Sequence, residues 1–123
     1  MPKILVADDS RFQVAILRSA LLGKGFEVIV AEDALQAGML ALRAVPDAIV
    51  LDLNMPGGSG IEVLKRLRRS SKTKDIPVVV VSGNSDSDVQ QVAMELGVAK
   101  FFAKPVDLEQ LAGALSGLLS VRD

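Results

Sequence analysis

Short, almost unbroken apolar runs alternate along the chain with longer segments whose apolar residues recur every three to four positions. The runs cover residues 3–7, 26–31, 48–51, 77–81 and 98–103 and are rich in Val and Ile. Continuous apolar character of this length predicts parallel strands covered on both faces, since a half-exposed strand would alternate. The intervening segments carry five helix-start signals: Ser10-x-x-Gln13, Asp33-x-x-Gln36, Ser59-x-x-Glu62, Ser85-x-x-Asp88 and Asp107-x-x-Gln110. In each, a side-chain oxygen can accept an orphan backbone N–H while a polar partner three residues on reaches back. Those led by Ser10 and Ser59 are strict capping boxes and the other three are looser. Stop signals agree, with Gly23 and Gly25 after the first helix, Pro46 after the second and Gly97 after the fourth.

Five strands alternating with five helices in 123 residues predict a single domain over residues 1–123. The fold class is α/β, a doubly wound (βα)5 parallel sheet. Right-handed crossovers leave few topologies, and 2-1-3-4-5, the flavodoxin-like order, is the natural one for five strands.

Composition narrows the chemistry. The chain has no cysteine and no histidine, which removes disulfides, Cys- or His-based zinc sites, thiol nucleophiles and Ser-His or Cys-His catalysis. A net charge of −1 argues against direct nucleic-acid binding and against capture by an anionic membrane. Lys65, Arg66, Arg68, Arg69, Lys72 and Lys74 form a local basic stretch, read as a solvated helix face and loop. The start, MPKILVADD, is neither a signal peptide nor a membrane span, so a cytoplasmic location is expected. Gly113 and Gly117, one turn apart on the last helix, are read as low-propensity positions more than as a packing face.

In open α/β sheets the functional crevice lies at the carboxyl ends of the strands, where the strand order reverses. Just past the predicted strand ends stand Asp8 and Asp9, then Asp52, then Ser82, then Lys104 followed by Pro105. Three carboxylates brought to one edge repel, by roughly 4 kcal/mol per pair at 4 Å and an effective dielectric of 20. A divalent cation relieves that repulsion, and oxygen-only ligands with open water positions suit Mg²⁺. A carboxylate nucleophile, Mg²⁺, a lysine and a hydroxyl form a phosphoryl-transfer set.

The strings LVADDS, IVLDLNMPGGSG, VVVVSG and FFAKP, in this order, resemble the signature segments of response-regulator receiver domains of the CheY-like superfamily. The resemblance covers essentially the whole chain. It implies two-component signalling in which Asp52 is the phosphoacceptor. It further implies that Asp9, Asp52 and the backbone carbonyl of Asn54 bind Mg²⁺ directly, with Asp8 acting through water. Ser82 and Phe101 fill the switch positions, Lys104 the lysine position, and the Lys104–Pro105 bond is expected to be cis. Asn54 and Asn84 occupy the positions that tune the phosphoryl lifetime. Two departures stand out: a Gly57-Gly58 loop, and Phe101 where a tyrosine is frequent.

The implied partners are a histidine kinase or phosphotransfer protein, which must supply the phosphohistidine this chain lacks, and an unknown output protein or domain. Phosphorylation is expected to shift the surface made by the fourth helix, fifth strand and fifth helix. The domain is expected to be monomeric when unphosphorylated. It is not expected to be an enzyme beyond catalysing its own phosphorylation and dephosphorylation. The competing reading is a constitutive pseudo-receiver that serves as a docking module, which loss of Asp52, Lys104 or the acidic pair would favour; none is lost. The chain is expected to be either a stand-alone regulator or the N-terminal part of a longer one.

Overall fold

The structure, a computed structural model, describes residues 1–55, 58–83 and 87–121. Strand β1 (Lys3–Ala7) leads into helix α1 (Arg11–Gly23), followed by β2 (Glu27–Ala31), α2 (Ala34–Ala44) and β3 (Ala48–Leu51). A short antiparallel ribbon, β4 (Asn54–Met55) with β5 (Gly58–Ser59), precedes α3 (Gly60–Arg69). Then come β6 (Val78–Ser82), α4 (Ser87–Glu95), β7 (Lys100–Ala103) and α5 (Leu108–Val121). The main sheet is parallel with order β2-β1-β3-β6-β7, the predicted 2-1-3-4-5 arrangement with the ribbon inserted before the fourth strand.

The strands are apolar on both faces because each face has its own core. Leu5, Ala7, Ile49, Leu51, Val78 and Val80 point toward α2, α3 and α4. Ile4, Val6, Val50, Val79 and Val81 point the other way, toward α1 and α5. Successive residues of a strand face opposite sides, so one unbroken Val/Ile run feeds both layers.

Three of the predicted helix starts cap as expected: Ser10 accepts the Gln13 N–H, Asp33 that of Gln36, and Ser59 that of Glu62. Asp107 accepts the N–H groups of both Glu109 and Gln110. The Ser85 cap lies outside the described residues. Gly25 and Gly97 take φ of +90° and +81°, the left-handed turn that only glycine enters without strain. Helix α2 ends differently from a simple proline stop: Val45 itself adopts φ 44° and returns its N–H to Ala41 before Pro46.

Several predicted boundaries are corrected. Phe26, Pro77, Val98 and Ala99 lie outside the strands, and Ser82 is the last residue of β6, not the first beyond it. Apolarity extends past the ladder because flanking residues also enter the core: Phe26, Ile76 and Val98 are buried.

Candidate functional site

Backbone hydrogen bonds carry the sheet one residue beyond its strands, and the chemical groups sit there. The Asp8 N–H donates to the Ala31 carbonyl, the Asp52 N–H to Ala7, and the Lys104 N–H to Ser82. These three residues are therefore fixed relative to one another by the ladder, although 96 positions separate Asp8 from Lys104. Local turns then orient the carboxylates. Asp8 Oδ1 accepts the Ser10 N–H at 2.9 Å, and Asp52 Oδ1 accepts the Asn54 N–H at 2.9 Å.

The remaining carboxylate oxygens share one ammonium. Lys104 Nζ lies 3.0 Å from Asp8 Oδ2 and 3.1 Å from Asp52 Oδ2. Asp8 and Asp52 are buried, whereas Asp9 is exposed at the rim. One oxygen from each of Asp8, Asp9 and Asp52 lies within 4.8 Å of the others. Two unit charges at that separation repel by roughly 3.5 kcal/mol at an effective dielectric of 20. A single ammonium against three carboxylates leaves a local excess of negative charge, and a hard divalent cation is the group that corrects it. The all-oxygen donor set fits an ion of the Mg²⁺ class, and such an acidic triad is typical of the Mg²⁺ site in receivers.

Titration follows the same balance. Burial holds the Asp52 carboxyl above the usual carboxylate range, and the neighbouring Asp8 charge adds to this; the Asn54 N–H and Lys104 only partly offset it. Burial by itself pushes Lys104 down, yet its hydrogen bonds to Asp8 and Asp52, with their charges, together hold it above the ordinary lysine value. Both values move upward with opposite effects on charge: burial disfavours the ionised form of Asp52, whereas Lys104, facing two anions, is held in its charged form.

Of the predicted site residues, Asp8, Asp9, Asp52 and Lys104 converge. Ser82 lies next to them, fully buried, with the Asn54 side-chain amide donating to its Oγ at 3.4 Å. The predicted cis bond is present at Lys104–Pro105. Phe101 and Phe102 are both half-buried on opposite faces of β7, Phe101 against the α2–α4 layer and Phe102 against the α1–α5 layer. Asn84 lies outside the described residues, as does Gly57.

Asn54, expected to offer its carbonyl to Mg²⁺ and to tune the phosphoryl lifetime, also has a structural role, and Gly60 and Arg68 have roles that sequence pattern did not single out. Asn54 ties Asp52 to Ser82, through its backbone N–H on one side and its side chain on the other. Gly60 begins α3 directly beneath the site; a Cβ there would lie 2.5 Å from Leu53 Cα and 2.8 Å from the Asp52 carbonyl oxygen. A glycine in the first turn of a helix, where it costs propensity, was the available signal. Arg68 corrects the reading of the basic stretch as merely solvated. Its guanidinium donates to the carbonyls of Leu96, Gly97, Lys74 and Ile76, so it fastens α3 to the end of α4. Burial lowers its pKa, against the opposing charge of Asp75.

Comparison with known proteins agrees with this geometry. The response regulator receiver domain profile matches residues 4–116. The chain is 38% identical over 121 residues to the transcriptional regulatory protein PrrA of Mycobacterium tuberculosis, covering 98% of this chain and 51% of that protein. It is 32% identical over 121 residues to sporulation initiation phosphotransferase F of Bacillus subtilis, covering 98% and 95% of the two chains. The chain thus spans about half the length of the transcriptional regulators it matches. Among solved structures, the chemotaxis response regulator CheY4 of Vibrio cholerae superposes with a TM-score of 0.89 at 30% identity, covering 97% and 99% of the two chains. The Francisella response regulator 1452 receiver domain gives 0.91 at 27% identity over the whole of both chains. With the sheet order, the acidic pocket and the family match in agreement, this chain belongs to the CheY-like response regulator receiver domains of two-component signalling, a family of signalling modules and not of conventional enzymes.

Proposed function

We propose that this domain accepts a phosphoryl group on Asp52 from the phosphohistidine of a partner kinase or phosphotransfer protein, and that the modified surface is read by an output partner. The observation that carries the proposal is the Lys104 ammonium bridging Asp8 and Asp52, with Asp9 at the open side of the same cluster. In the transfer, an Asp52 carboxylate oxygen bonds to phosphorus as the N–P bond of the donor breaks. The donor imidazole keeps the electron pair.

Asp9, Asp52 and the Asn54 carbonyl would hold Mg²⁺ directly. Asp8, its carboxylate oriented by the Ser10 N–H and Lys104, would act through water. The ion, when bound, supplies neutralisation of the carboxylate and phosphoryl charge. Lys104, hydrogen-bonded to Asp8 Oδ2 and Asp52 Oδ2, would stabilise the charge on the phosphoryl group. Ser82, buried at the end of β6, would bond a phosphoryl oxygen. Its movement would free room for Phe101, on the neighbouring strand β7, to turn inward and so alter the face made by α4, β7 and α5. Asn54, and Asn84 beyond Ser82, would tune access of the hydrolytic water. The domain would act in the cytoplasm; among the described residues no helix is long and apolar enough to cross a membrane.

The test is intact mass after treatment with acetyl phosphate and Mg²⁺. One phosphoryl addition is expected, abolished by Asp52→Asn and by EDTA. Modification that persists in Asp52→Asn would refute the assignment of this residue.

A further inference from the structure

Helix α2 carries an apolar ridge that the fold does not bury. Leu35, Met39 and Leu42 are 58%, 46% and 37% exposed and follow an i, i+4, i+7 spacing, so they line one side of the helix. The opposite side, through Ala34, Ala37 and Ala41, supplies the packing against the sheet, so the fold has no need of the ridge. Alongside it runs a shallow groove of about 180 Å³ between α2 and α3, lined by Leu42 and Leu67 and rimmed by Arg66 and Arg69. The Arg66 guanidinium lies against α2 itself: a Cβ on Gly38 would stand 2.9 Å from its Nη1. Neither arginine has a carboxylate partner among the described residues; the nearest acidic residue on α3, Glu62, is paired with Lys65.

We propose that this α2–α3 face docks an acidic amphipathic helix of a partner protein. The ridge offers the three anchor positions that a helix-in-groove contact uses, and the groove has the volume of one aliphatic side chain. The two unpaired arginines beside it select the charge of the occupant: carboxylates flanking the apolar stripe would form bidentate pairs with them. The face lies on the α2–α3 side of the molecule, apart from β7 and α5, so it is a second interaction surface and not an extension of the phosphorylation-sensitive one.

The probe is a synthetic 18-residue helix with leucines at i, i+4 and i+7 and flanking glutamates, titrated into the ¹⁵N-labelled domain. Its control has the same composition with the leucines distributed around the helix. Amide shifts are expected on residues 35–45 and 66–73, with binding weakened at least tenfold for the control peptide, for Met39→Ser and for Arg66→Glu/Arg69→Glu. All three substituted side chains are exposed, and an unchanged spectrum elsewhere verifies the fold. Equal binding of the control peptide, or shifts centred on another face, overturns the proposal. So does concentration-dependent self-association that Met39→Ser abolishes, which would make the occupant a second copy. Binding to phosphatidylserine vesicles in preference to the peptide, lost in the same variants, would assign the face to a lipid surface instead.

Discussion

Gly60→Ala tests how the fold holds the segment that carries Asp52. The added methyl would sit 2.5 Å from Leu53 Cα, 2.8 Å from the Asp52 carbonyl oxygen and 2.9 Å from Leu53 Cδ2. Ordinary carbon contacts begin near 3.5 Å, so the backbone on one side must retreat by about 1 Å. Two of the three opposing atoms are main chain, and the Gly60 N–H is itself bonded to the Leu53 carbonyl at 3.0 Å, which ties the two segments together. Overpacking in a well-packed interior costs about 1–3 kcal/mol, and here the upper end applies because the two tightest contacts are main chain and cannot swing aside as the Leu53 side chain can. With unfolding entropy near 2.1 cal/mol/K per residue, 3 kcal/mol corresponds to a fall of roughly 12 °C in Tm for a chain of this size. The retreat also drags Asp52, so phosphorylation by acetyl phosphate is expected to slow by on the order of 10–100-fold. The comparison is Gly113→Ala, where nothing lies within 4 Å of the new methyl and helix propensity alone changes, stabilising by about 0.5–1 kcal/mol. Thermal unfolding of the three proteins decides the matter. A Gly60→Ala variant within 0.5 kcal/mol of wild type would refute the argument from close backbone approach.

Other perturbations follow from the charges and clamps described above. Because burial raises the Asp52 pKa in the folded state, its contribution to stability is full below about pH 4 and is lost as pH rises through the raised value. Asp52→Asn is therefore expected to melt above wild type at pH 7 without divalent cation, with the gap closing toward pH 3; a lower Tm at pH 7 would contradict this. Mg²⁺ at 100 times its Kd should stabilise wild type by about 2.7 kcal/mol and the Asn variant far less, as read by thermal scans with and without EDTA. Arg68→Met removes donors from the carbonyls of Leu96, Gly97, Lys74 and Ile76. It should cost about 2–3 kcal/mol, with hydrogen exchange rising first at the end of α4. Helices α4 and α5 carry no lysine or arginine among the described residues, so the phosphorylated domain should sediment as a monomer at micromolar concentration, without a salt-bridged dimer through α4, β7 and α5.

Much of this molecule was legible in the sequence because the signals concerned are local. An apolar run buried on both faces, a serine three residues before its polar partner and a glycine past a helix end each act within a few positions. Asp8, Asp9, Asp52 and Lys104 could be placed together because parallel strands bring all their carboxyl ends to one edge, and the alternation of elements dictated parallel strands. Strand boundaries were less legible, since Phe26, Ile76 and Val98 enter the core without joining the ladder and burial leaves the same apolar mark as pairing.

What only the tertiary structure decided depends on contacts between distant segments. Arg68 lies in a run of cations, and nothing within that run distinguishes it from Arg66 or Arg69; the carbonyls it holds include those of Leu96 and Gly97, almost 30 residues away. The sharing of one ammonium between Asp8 and Asp52 likewise depended on where the Lys104 side chain came to rest. Gly60 is one of ten glycines, and its requirement comes from the approach of the Leu53 backbone, not from its own dihedral angles. The exposed ridge on α2 was concealed for a related reason. Leucine and methionine at helical spacing read as core, and only the packing of the opposite face through small alanines left them in solvent. Local pattern specifies which elements form and which of their ends meet, because it acts through the backbone; which long side chain reaches which partner is settled by the packing of elements far apart in the chain.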